Sequence, residues 1–474
     1  MDRNYSPVTP SVVEQLQAIV GQRYVIYGDA EKLEPYSHDE IPDRHYAHSP
    51  ECVVRPRSAR EIAAIMKLAN RELIPVTPRG AGSGLSGGAV PIYGGIVLLC
   101  DRMNRILEID RDNMMAVVEP GVVTNEINNA IREYGLFYAG YPMSLETCFI
   151  GGNVAENAGG GKAVKYGVTG RYVTGLEMVT PTGEIVQLGG KLVKDVTGYN
   201  LIGLMVGSEG TLGVFTKITL KLMPLPKASV DLLVLFKTAE EAIAAVPRIM
   251  TSGGIIPTSI EFMDRTSMQA ACRYLNETLP YEQAAACLLI TVDGADAVQV
   301  EGQYEAIGEQ CLSGGAMEVY VADNRTTSER LWRIRRNIPE AAAAVSPHQS
   351  NEDLVVPMAA IPQLVAGMER LAAKYGLMIP AYGHAGDGNL HTRIVKDPDW
   401  TMDRWNEALP KALAELYKLT AQLGGMISGE HGIGHKRKAF MPMFVSQAYL
   451  DMARAIKRAL DPNNILNPGK IFDL

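Results

Sequence analysis

The sequence predicts an α+β fold with more than one domain, on three observations. Three glycine clusters separate short strand patterns in the first half of the chain, strand and helix patterns alternate after residue 230, and Pro224 and Pro226 interrupt the pattern between these regions. The later alternation fits a split β-α-β unit with extra helices, which belongs to the α+β class. At 474 residues, the chain is long enough for about two to four domains with buried cores.

The composition favours a protein that acts on a small molecule. The net charge is −8, whereas nucleic acids and anionic membranes bind clustered positive charge, so we expect neither partner. A transmembrane segment needs roughly 18 consecutive apolar residues, and the sequence has no such stretch. The six cysteines form no C-x-x-C pair and the first ten residues lack a signal-peptide pattern. These features predict a cytoplasmic protein without an iron–sulfur cluster or zinc ribbon of its own.

Local signals predict the elements of the first region. Ser58 and Glu61 form a capping box that begins a helix, and Thr124 is expected to cap a helix that ends at Gly135. Residues 181–183, Pro-Thr-Gly, predict a hairpin turn. The predicted strands cover residues 74–77, 96–99, 116–118, 176–179, 185–188 and 216–222.

The elements of the second region follow from hydrophobic periodicity. The predicted strands cover residues 230–236, 259–263, 287–292 and 317–321, and the helices between them cover residues 239–251, 264–275 and 296–311. Further helices are predicted over residues 326–345, 360–375, 403–423 and 445–460.

The first glycine cluster does not predict a Rossmann nucleotide site, although Gly82 to Gly87 match G-x-G-x-x-G. That motif must open a helix, and Pro91 with the glycines that follow it prevents one. Glycine instead lets successive backbone N–H groups of the loop form an anion nest. Further clusters at residues 151–161 and 207–213 predict that the backbone packs closely along one long cofactor.

Three segments resemble the FAD-binding segments of the vanillyl-alcohol-oxidase-type flavoproteins, whose flavin domain is of the p-cresol methylhydroxylase (PCMH) type. They are residues 78–88, 150–160 and 207–213. Within that superfamily, the whole chain resembles the D-lactate dehydrogenase and glycolate oxidase flavoprotein-subunit branch. The resemblance implies an N-terminal segment (1–47), a two-part PCMH-type FAD-binding domain (48–226), an α+β substrate or cap domain with a split β-α-β-like sheet (227–425), and a C-terminal helical segment (426–474) that returns to the flavin and completes the active site.

The resemblance also implies which residues bind FAD. The pyrophosphate segment comprises Arg79, Gly80, Ala81, Gly82, Ser83, Gly84, Leu85 and Ser86. The isoalloxazine side comprises Pro142, Thr147, Gly151, Gly152, Asn153, Asn157 and Gly159, the adenine side comprises Glu209, Gly210 and Val214, and Asn467 lies in the segment that returns to the flavin. Some relatives attach FAD through a histidine in the glycine loop. This loop has no histidine, so we expect non-covalent binding.

Two C-terminal clusters carry histidines and acidic residues, His384 to His391 and Ser428 to His435. Their glycines exclude a regular helix, so we expect loops to present these side chains. Two imidazoles and one carboxylate suit Zn²⁺, Fe²⁺ or Mn²⁺ with open positions for substrate. The resemblance implies that His384, His391 and Glu430 bind one divalent metal beside the substrate, that His431 is the general base, and that Asn389 lies near substrate and flavin. Asp387 and His435 are more simply interpreted as turn residues or as residues that support the ligands.

A carboxylate substrate needs a fixed cation, and arginine offers a bidentate fork. The helix that Thr326 and Glu329 are expected to cap carries Arg333, Arg335 and Arg336, of which two are expected to face solvent. The family pattern places the substrate arginine three residues after the tryptophan, which selects Arg335. Related 2-hydroxyglutarate enzymes have a lysine that binds the second carboxylate, and the matching residues 350–354 lack it.

The expected function is FAD-dependent oxidation of a small 2-hydroxy acid, D-lactate first and glycolate next. Electrons would pass to an electron-transferring flavoprotein, an iron–sulfur subunit or a quinone. One alternative is a D-2-hydroxyglutarate dehydrogenase. A metal-dependent hydrolase, in which His384, His391 and Glu430 activate water, is an alternative of another class, but it leaves the glycine clusters unexplained. A third is an electron-transferring subunit without its own substrate.

Overall fold

A computed structural model of the chain describes residues 5–279, 282–322 and 324–474. The chain divides into two compact units. The first comprises Met1–Gly159, Val168–Leu225 and Glu430–Leu474, and the second comprises Gly160–Gly167 and Pro226–Gly429. Residues 160–167 belong to the second unit because the Lys165 ammonium and the Tyr166 hydroxyl lie 2.5 and 3.0 Å from Asp293 Oδ1.

The described residues of the first unit form three sheets. Its strands are β1 (Val25–Tyr27), β2 (Cys52–Val54), β3 (Val76–Arg79), β4 (Ile96–Leu99), β5 (Ile106–Asp110), β6 (Met115–Val118), β7 (Leu136–Phe137), β8 (Val173–Val179), β9 (Ile185–Gly189), β10 (Val214–Lys221) and β11 (Met223–Pro224). One sheet has the order β1-β2-β4-β3, with β2, β4 and β3 parallel. An antiparallel sheet has the order β5-β6-β10-β8-β9, and β7 pairs with β11.

The longer helices of the first unit are Pro10–Val20, Ala59–Glu72 and Gln447–Leu460, and the others are short. In chain order, the helices are Pro10–Val20, Ala30–Leu33, Ala59–Glu72, Thr124–Ile131, Ile150–Glu156, Leu201–Met205 and Gln447–Leu460, with 3-10 turns at Gln22–Tyr24, Glu34–Tyr36, Arg44–Tyr46, Arg132–Tyr134, Thr169–Arg171 and Lys438–Met443. The capping box is confirmed at Ser58, whose hydroxyl accepts from the Glu61 N–H. Ile62, Ile65 and Met66 of this helix are fully buried and pack against the β1–β4 sheet.

Two predictions about this unit have different outcomes. Residues 80–95 contain no helix, which confirms that the glycine cluster does not open one. Thr124 is not a helix cap, because the cap position is Val123 and Thr124 is already the first helical residue. The Thr124 hydroxyl instead donates to the Cys148 carbonyl at 3.3 Å and accepts from the Asn153 amide at 2.7 Å.

The second unit is built on one antiparallel sheet. Its strands are β12 (Ala228–Phe236), β13 (Ser259–Asp264), β14 (Ala286–Gly294), β15 (Glu318–Ala322), β16 (Gln349–Val355), β17 (Ala381–His384) and β18 (Asn389–Val395). The order is β15-β12-β14-β13-β17-β18-β16. The helices are Ala163–Tyr166, Ala239–Thr251, Arg265–Leu275, Ala297–Ser313, Arg325–Arg336, Ile338–Val345, Ile361–Tyr375 and Met402–Gln422, with a 3-10 turn at Met358–Ala360.

Side chains alternate between the two faces of this sheet. On one face, Leu235 and Met263 pack against the helix Arg265–Leu275 and the helix Arg325–Arg336. We call this face the site face, because strand alternation also brings Glu261 onto it, two residues before Met263. The helix Ala239–Thr251 packs against β12, β13 and β14.

The structure corrects three predictions about the second unit. The helix with the three arginines is capped by Asn324, whose side chain accepts from the Thr327 N–H, and Thr326 lies within the helix. The helix predicted over residues 326–345 is two helices, because Pro339 lies in the first turn of the second helix and favours a new helix start there. The segment from His384 to His391 is not a loop. It is a hairpin of β17 and β18, in which residues 385–388 form the turn. No helix among the described residues is long and apolar enough to cross a membrane.

Candidate functional site

The glycine clusters of the first unit meet at one place. A Cβ at Gly80 would lie 3.6 Å from Phe149 and 3.9 Å from the Gly152 backbone nitrogen, and a Cβ at Gly210 would lie 3.5 Å from Pro78. Asn467 Nδ2 bridges two of the clusters, since it donates to the carbonyls of Gly88 at 3.0 Å and of Glu209 at 2.7 Å. Segments far apart in sequence therefore surround the glycine loop after β3.

The glycine loop has free backbone donors. Among the described residues, no protein group accepts a hydrogen bond from the backbone N–H of residues 81–86. The next two N–H groups are engaged, since Gly87 donates to Asp39 Oδ2 at 2.7 Å and Gly88 to Ser86 Oγ at 3.2 Å. Residues 81–85 are exposed or half-buried. Consecutive open donors in a glycine turn form a cradle that fits a phosphate group.

Arg79 supports this loop from within the protein. Its guanidinium is buried and donates to the carbonyls of Ala89 and Pro35, both at 3.3 Å. Burial lowers the pKa of this group. Gly82 has a φ of +77°, and a Cβ there would overlap the Arg79 guanidinium. Only glycine therefore fits at position 82.

The residues predicted for the isoalloxazine side lie around the helix Ile150–Glu156. Asn157 ends this helix with a φ of +54°, and its side-chain oxygen accepts from the Gly170 N–H at 2.8 Å. Gly151 packs on Pro120, and a Cβ at Gly159 would lie 3.2 Å from Glu430 Oε2. Pro142 is half-buried and Thr147 is exposed; both lie in the turn that precedes this helix.

Glu209 contacts the C-terminal segment with both carboxylate oxygens. They accept from the N–H groups of Ile433 at 2.7 Å and Gly434 at 2.6 Å. Burial raises the pKa of Glu209, and these two hydrogen bonds oppose that shift. Glu156 is half-buried, and desolvation of its carboxylate together with the charge of Glu209 raises its pKa well above the ordinary value. Val214, the third residue predicted for the adenine side, is buried at the start of β10.

Glu430 and His431 begin the part of the first unit that Glu209 anchors. His431 Nε2 lies 3.9 Å from Glu430 Oε1, and both side chains are half-buried. His435 is partly buried beside Tyr46 and His48, and burial lowers its pKa to about 4. His435 is therefore neutral near pH 7.

In the second unit, Glu261 lies at the centre of the site face. Its carboxylate is fully buried, with Oε1 2.6 Å from His384 Nδ1 and Oε2 2.6 Å from Arg335 Nη2. Burial raises the pKa of Glu261, but His384 and Arg335 lower it by more, so the net shift is downward. The Arg335 guanidinium also lies 4.9 Å from the centre of the Tyr382 ring.

His391 lies beside His384 on the same face. Their Nε2 atoms are 3.3 Å apart, and the rings are nearly perpendicular. His391 Nδ1 lies 3.6 Å from Asp353 Oδ1. Asp353 is fully buried and also accepts from Asn389 Nδ2 at 2.8 Å and from Ser428 Oγ at 2.6 Å. Each imidazole thus has a buried carboxylate on its Nδ1 side and the other imidazole on its Nε2 side.

The remaining predicted residues of the second unit lie in a helix and in the hairpin turn. Of the three arginines in the helix Arg325–Arg336, Arg333 and Arg336 are exposed and Arg335 is buried, which confirms that two of them face solvent. Asp387 lies in the hairpin turn, where Oδ1 accepts from the Asn389 N–H at 3.3 Å.

The sequence prediction missed Glu261 and Asp353. Each is a carboxylate inside an otherwise buried strand, within Ser-Ile-Glu-Phe-Met and Asn-Glu-Asp-Leu-Val. A charge is buried in this way only when it is paired. For Glu261, an isolated acidic residue among apolar neighbours is the signal that could have identified it, whereas Asp353 follows Glu352 in a mainly polar strand that carries no such signal.

Comparison with known proteins defines the class. Residues 225–471 match the C-terminal domain of the FAD-linked oxidases, and residues 50–189 match an FAD-binding domain. The chain therefore belongs to the FAD-linked oxidase family, and it is an FAD-dependent oxidoreductase with an FAD-binding domain and a cap domain.

Two relatives and one solved structure show what the chain is similar to within and beyond this family. The chain is 40% identical to the glycolate oxidase subunit GlcD of Bacillus subtilis, covering 98% of this chain and 97% of the relative. It is 38% identical to a D-lactate dehydrogenase of Anaerostipes hadrus, covering 98% of each. A crystal structure of p-cresol methylhydroxylase superposes with a TM-score of 0.80 at 19% identity, over 97% of this chain and 96% of that one, and so shares the fold.

Proposed function

We propose that this protein uses FAD to oxidise a small 2-hydroxy acid to the 2-oxo acid, with D-lactate favoured over glycolate. The observation that carries the proposal is the group on the site face, where one buried carboxylate contacts the buried Arg335 and His384, and His384 faces His391. A hydroxy acid has a carboxylate for an arginine and a hydroxyl for a metal. The similarity to a glycolate oxidase subunit and a D-lactate dehydrogenase supports the same substrate class.

The glycine loop fits the pyrophosphate of FAD. Residues 81–86 offer consecutive backbone donors without protein acceptors, and such a nest binds phosphate without a cationic side chain. Bound FAD supplies the hydride acceptor of the reaction. The residues predicted around the isoalloxazine and adenine remain assignments by resemblance, and their substitution would test them.

The facing histidines fit a divalent metal. If His384 Nδ1–H donates to Glu261 at 2.6 Å, His384 Nε2 presents a lone pair toward His391 Nε2, which lies 3.3 Å away. Two imidazole nitrogens this close can hold a cation between them, and a carboxylate behind a histidine is typical of a metal ligand. We therefore assign His384 and His391 as ligands of Zn²⁺, Fe²⁺ or Mn²⁺, with Glu430 as the third ligand by resemblance. The metal would lower the pKa of the substrate hydroxyl.

The protein's own residues then bind the substrate and move its proton. Arg335 binds the substrate carboxylate through a charge-assisted fork, Asn389 is assigned near the substrate by resemblance, and His431 accepts the hydroxyl proton. A second substrate carboxylate is disfavoured, because the segment that would need a lysine contains the buried Asp353. Electrons pass to an electron-transferring flavoprotein, an iron–sulfur subunit or a quinone.

The decisive experiment is anaerobic reduction of the purified FAD protein. D-lactate should bleach the flavin absorbance, and L-lactate, glycolate and D-2-hydroxyglutarate should do so more slowly. Arg335→Lys should raise KM for D-lactate, whereas Arg333→Lys, on the exposed face of the same helix, should not. Bleaching fastest with D-2-hydroxyglutarate would overturn the substrate choice. A protein that binds FAD but is reduced by none of these acids would overturn the proposed function.

A further inference from the structure

We propose that Glu261 is a positioning residue that couples the substrate arginine Arg335 to the metal ligand His384. The inference rests on the proposed function and extends it, because it makes binding of the substrate carboxylate and of the metal interdependent. Arg335 is proposed to bind an anion and His384 a cation, so their separate roles do not by themselves link the two residues. Glu261 contacts both Arg335 and His384.

The two contacts use the two oxygens of one carboxylate. Oε1 lies 2.6 Å from His384 Nδ1, and Oε2 lies 2.6 Å from Arg335 Nη2. The strands β13 and β17 place Glu261 opposite His384 in register, and Arg335 reaches the same carboxylate from the helix Arg325–Arg336. All three side chains are at most 4% exposed. Water therefore screens these interactions only weakly.

The backbone prevents this carboxylate from turning away. A Cβ at Gly161 would lie 2.6 Å from Glu261 Oε1 and 3.6 Å from His384 Nδ1. The main chain of residues 160–167 thus packs directly on the contact between the carboxylate and the imidazole. A movement of Arg335 that pulls on Oε2 is consequently transmitted to Oε1 and to the ring of His384.

The chemistry of the two partners makes the negative charge necessary. The guanidinium of Arg335 is a donor without an acceptor atom, and His384 must donate from Nδ1 if Nε2 is to bind a metal. The Glu261 carboxylate offers one oxygen to each partner, since Oε1 is within hydrogen-bond distance of His384 Nδ1 and Oε2 forms an ion pair with Arg335 Nη2. A glutamine at this position has the same shape but only one acceptor oxygen, so its NH₂ group would face one of the two donors. Glu261→Gln must therefore lose one of the two contacts.

The test measures metal binding rather than turnover alone. For the FAD-loaded protein, competition with a chelator gives the dissociation constant of Mn²⁺ and of Zn²⁺. We expect Glu261→Gln to weaken binding by about tenfold to a hundredfold, as other substitutions behind metal-bound histidines do. We also expect a raised KM for D-lactate and an unchanged FAD content. Glu277→Gln is the matched control, because Glu277 pairs with Arg330 and Arg333 on the exposed side of the helix that carries Arg335.

A double-mutant cycle separates coupling from a general structural role. Arg335→Met should change the metal dissociation constant in the wild-type background and change it much less in the Glu261→Gln background, since the link between the two sites is then already lost. Additive effects would overturn the inference, as would metal affinity that Glu261→Gln leaves unchanged. If Glu261→Gln does not fold, Gly161→Ala tests the same contact by pressing on Oε1 while the charge is kept, and it should also weaken metal binding.

These outcomes are distinct from failure of the proposed function. A wild-type protein that binds metal but is not reduced by hydroxy acids would contradict the substrate while leaving the coupling of Arg335 and metal measurable. A wild-type protein that binds neither Mn²⁺ nor Zn²⁺ would overturn both the metal assignment and the coupling.

Discussion

His384 and His391 face each other across the hairpin of β17 and β18, with their Nε2 atoms 3.3 Å apart and a buried carboxylate behind each ring. The hairpin fixes this arrangement through its register, because the two histidines leave neighbouring strands on the same face of the sheet. Glu261 and Asp353 then orient the rings from strands on either side. Four strands of one sheet thus hold the Nε2 atoms of the two histidines close together.

The first prediction concerns this pair. His384→Ala and His391→Ala should each abolish stoichiometric metal, because one remaining imidazole is a weak ligand. Elemental analysis of anaerobically purified protein would measure this. His348→Ala is the control, since His348 is an exposed histidine of the same unit. Full metal content in both site variants would contradict the assignment.

A helix or strand of this protein could be predicted from the sequence where residues close together in the chain determine it. The helix Ala239–Thr251 and the strand Ile96–Leu99 lie at the predicted residues, because capping and hydrophobic periodicity act within a few residues. The hairpin from Ala381 to Val395 was not predicted, since its central glycines are equally typical of a loop. Its two arms are strands because they pair with each other and with β13 and β16.

The residues of the candidate site also differ in whether a local pattern predicts them. The histidines and Arg335 carry motif signals, so the sequence identified them. Glu261 contacts His384 across 123 residues of sequence, and no local pattern encodes that contact. Asp353 was noticed only as part of a segment without lysine, although its carboxylate contacts the predicted residues Asn389 and His391.

The second prediction tests the phosphate cradle. Gly82→Ala should lower FAD content strongly, because the new methyl group overlaps the Arg79 guanidinium at a φ of +77°. Gly28→Ala is a matched control, since Gly28 has a φ of +71° but no heavy atom within 4 Å of the added Cβ. Both variants incur the left-handed backbone cost of about 1–2 kcal/mol. The ratio of flavin to protein absorbance should fall only in Gly82→Ala, and equal losses would show that backbone strain alone is responsible.

The third prediction concerns pH. The pKa of Glu156 is raised well above its ordinary 4.5, so the folded protein keeps a proton that the unfolded chain releases. This contribution to stability is complete below pH 4.5 and is lost as the pH rises toward the folded pKa. Glu156→Gln removes it, so the free energy of unfolding should fall less with rising pH than in the wild type. Urea titrations across that range would measure the slopes, with the exposed Glu184→Gln as control, and identical slopes would contradict the shift.

The last prediction separates two roles for Glu209. The resemblance assigns this residue to the adenine side of FAD, whereas its carboxylate accepts from the Ile433 and Gly434 N–H groups. Glutamine offers one acceptor oxygen for these two donors, so Glu209→Gln should cost about 1.5–3 kcal/mol of unfolding free energy. It should also lower kcat with FAD retained, because the proposed base His431 precedes the segment that is released. Loss of FAD with kcat per bound flavin unchanged would instead support the adenine role, and flavin content measured beside single-turnover reduction distinguishes the two.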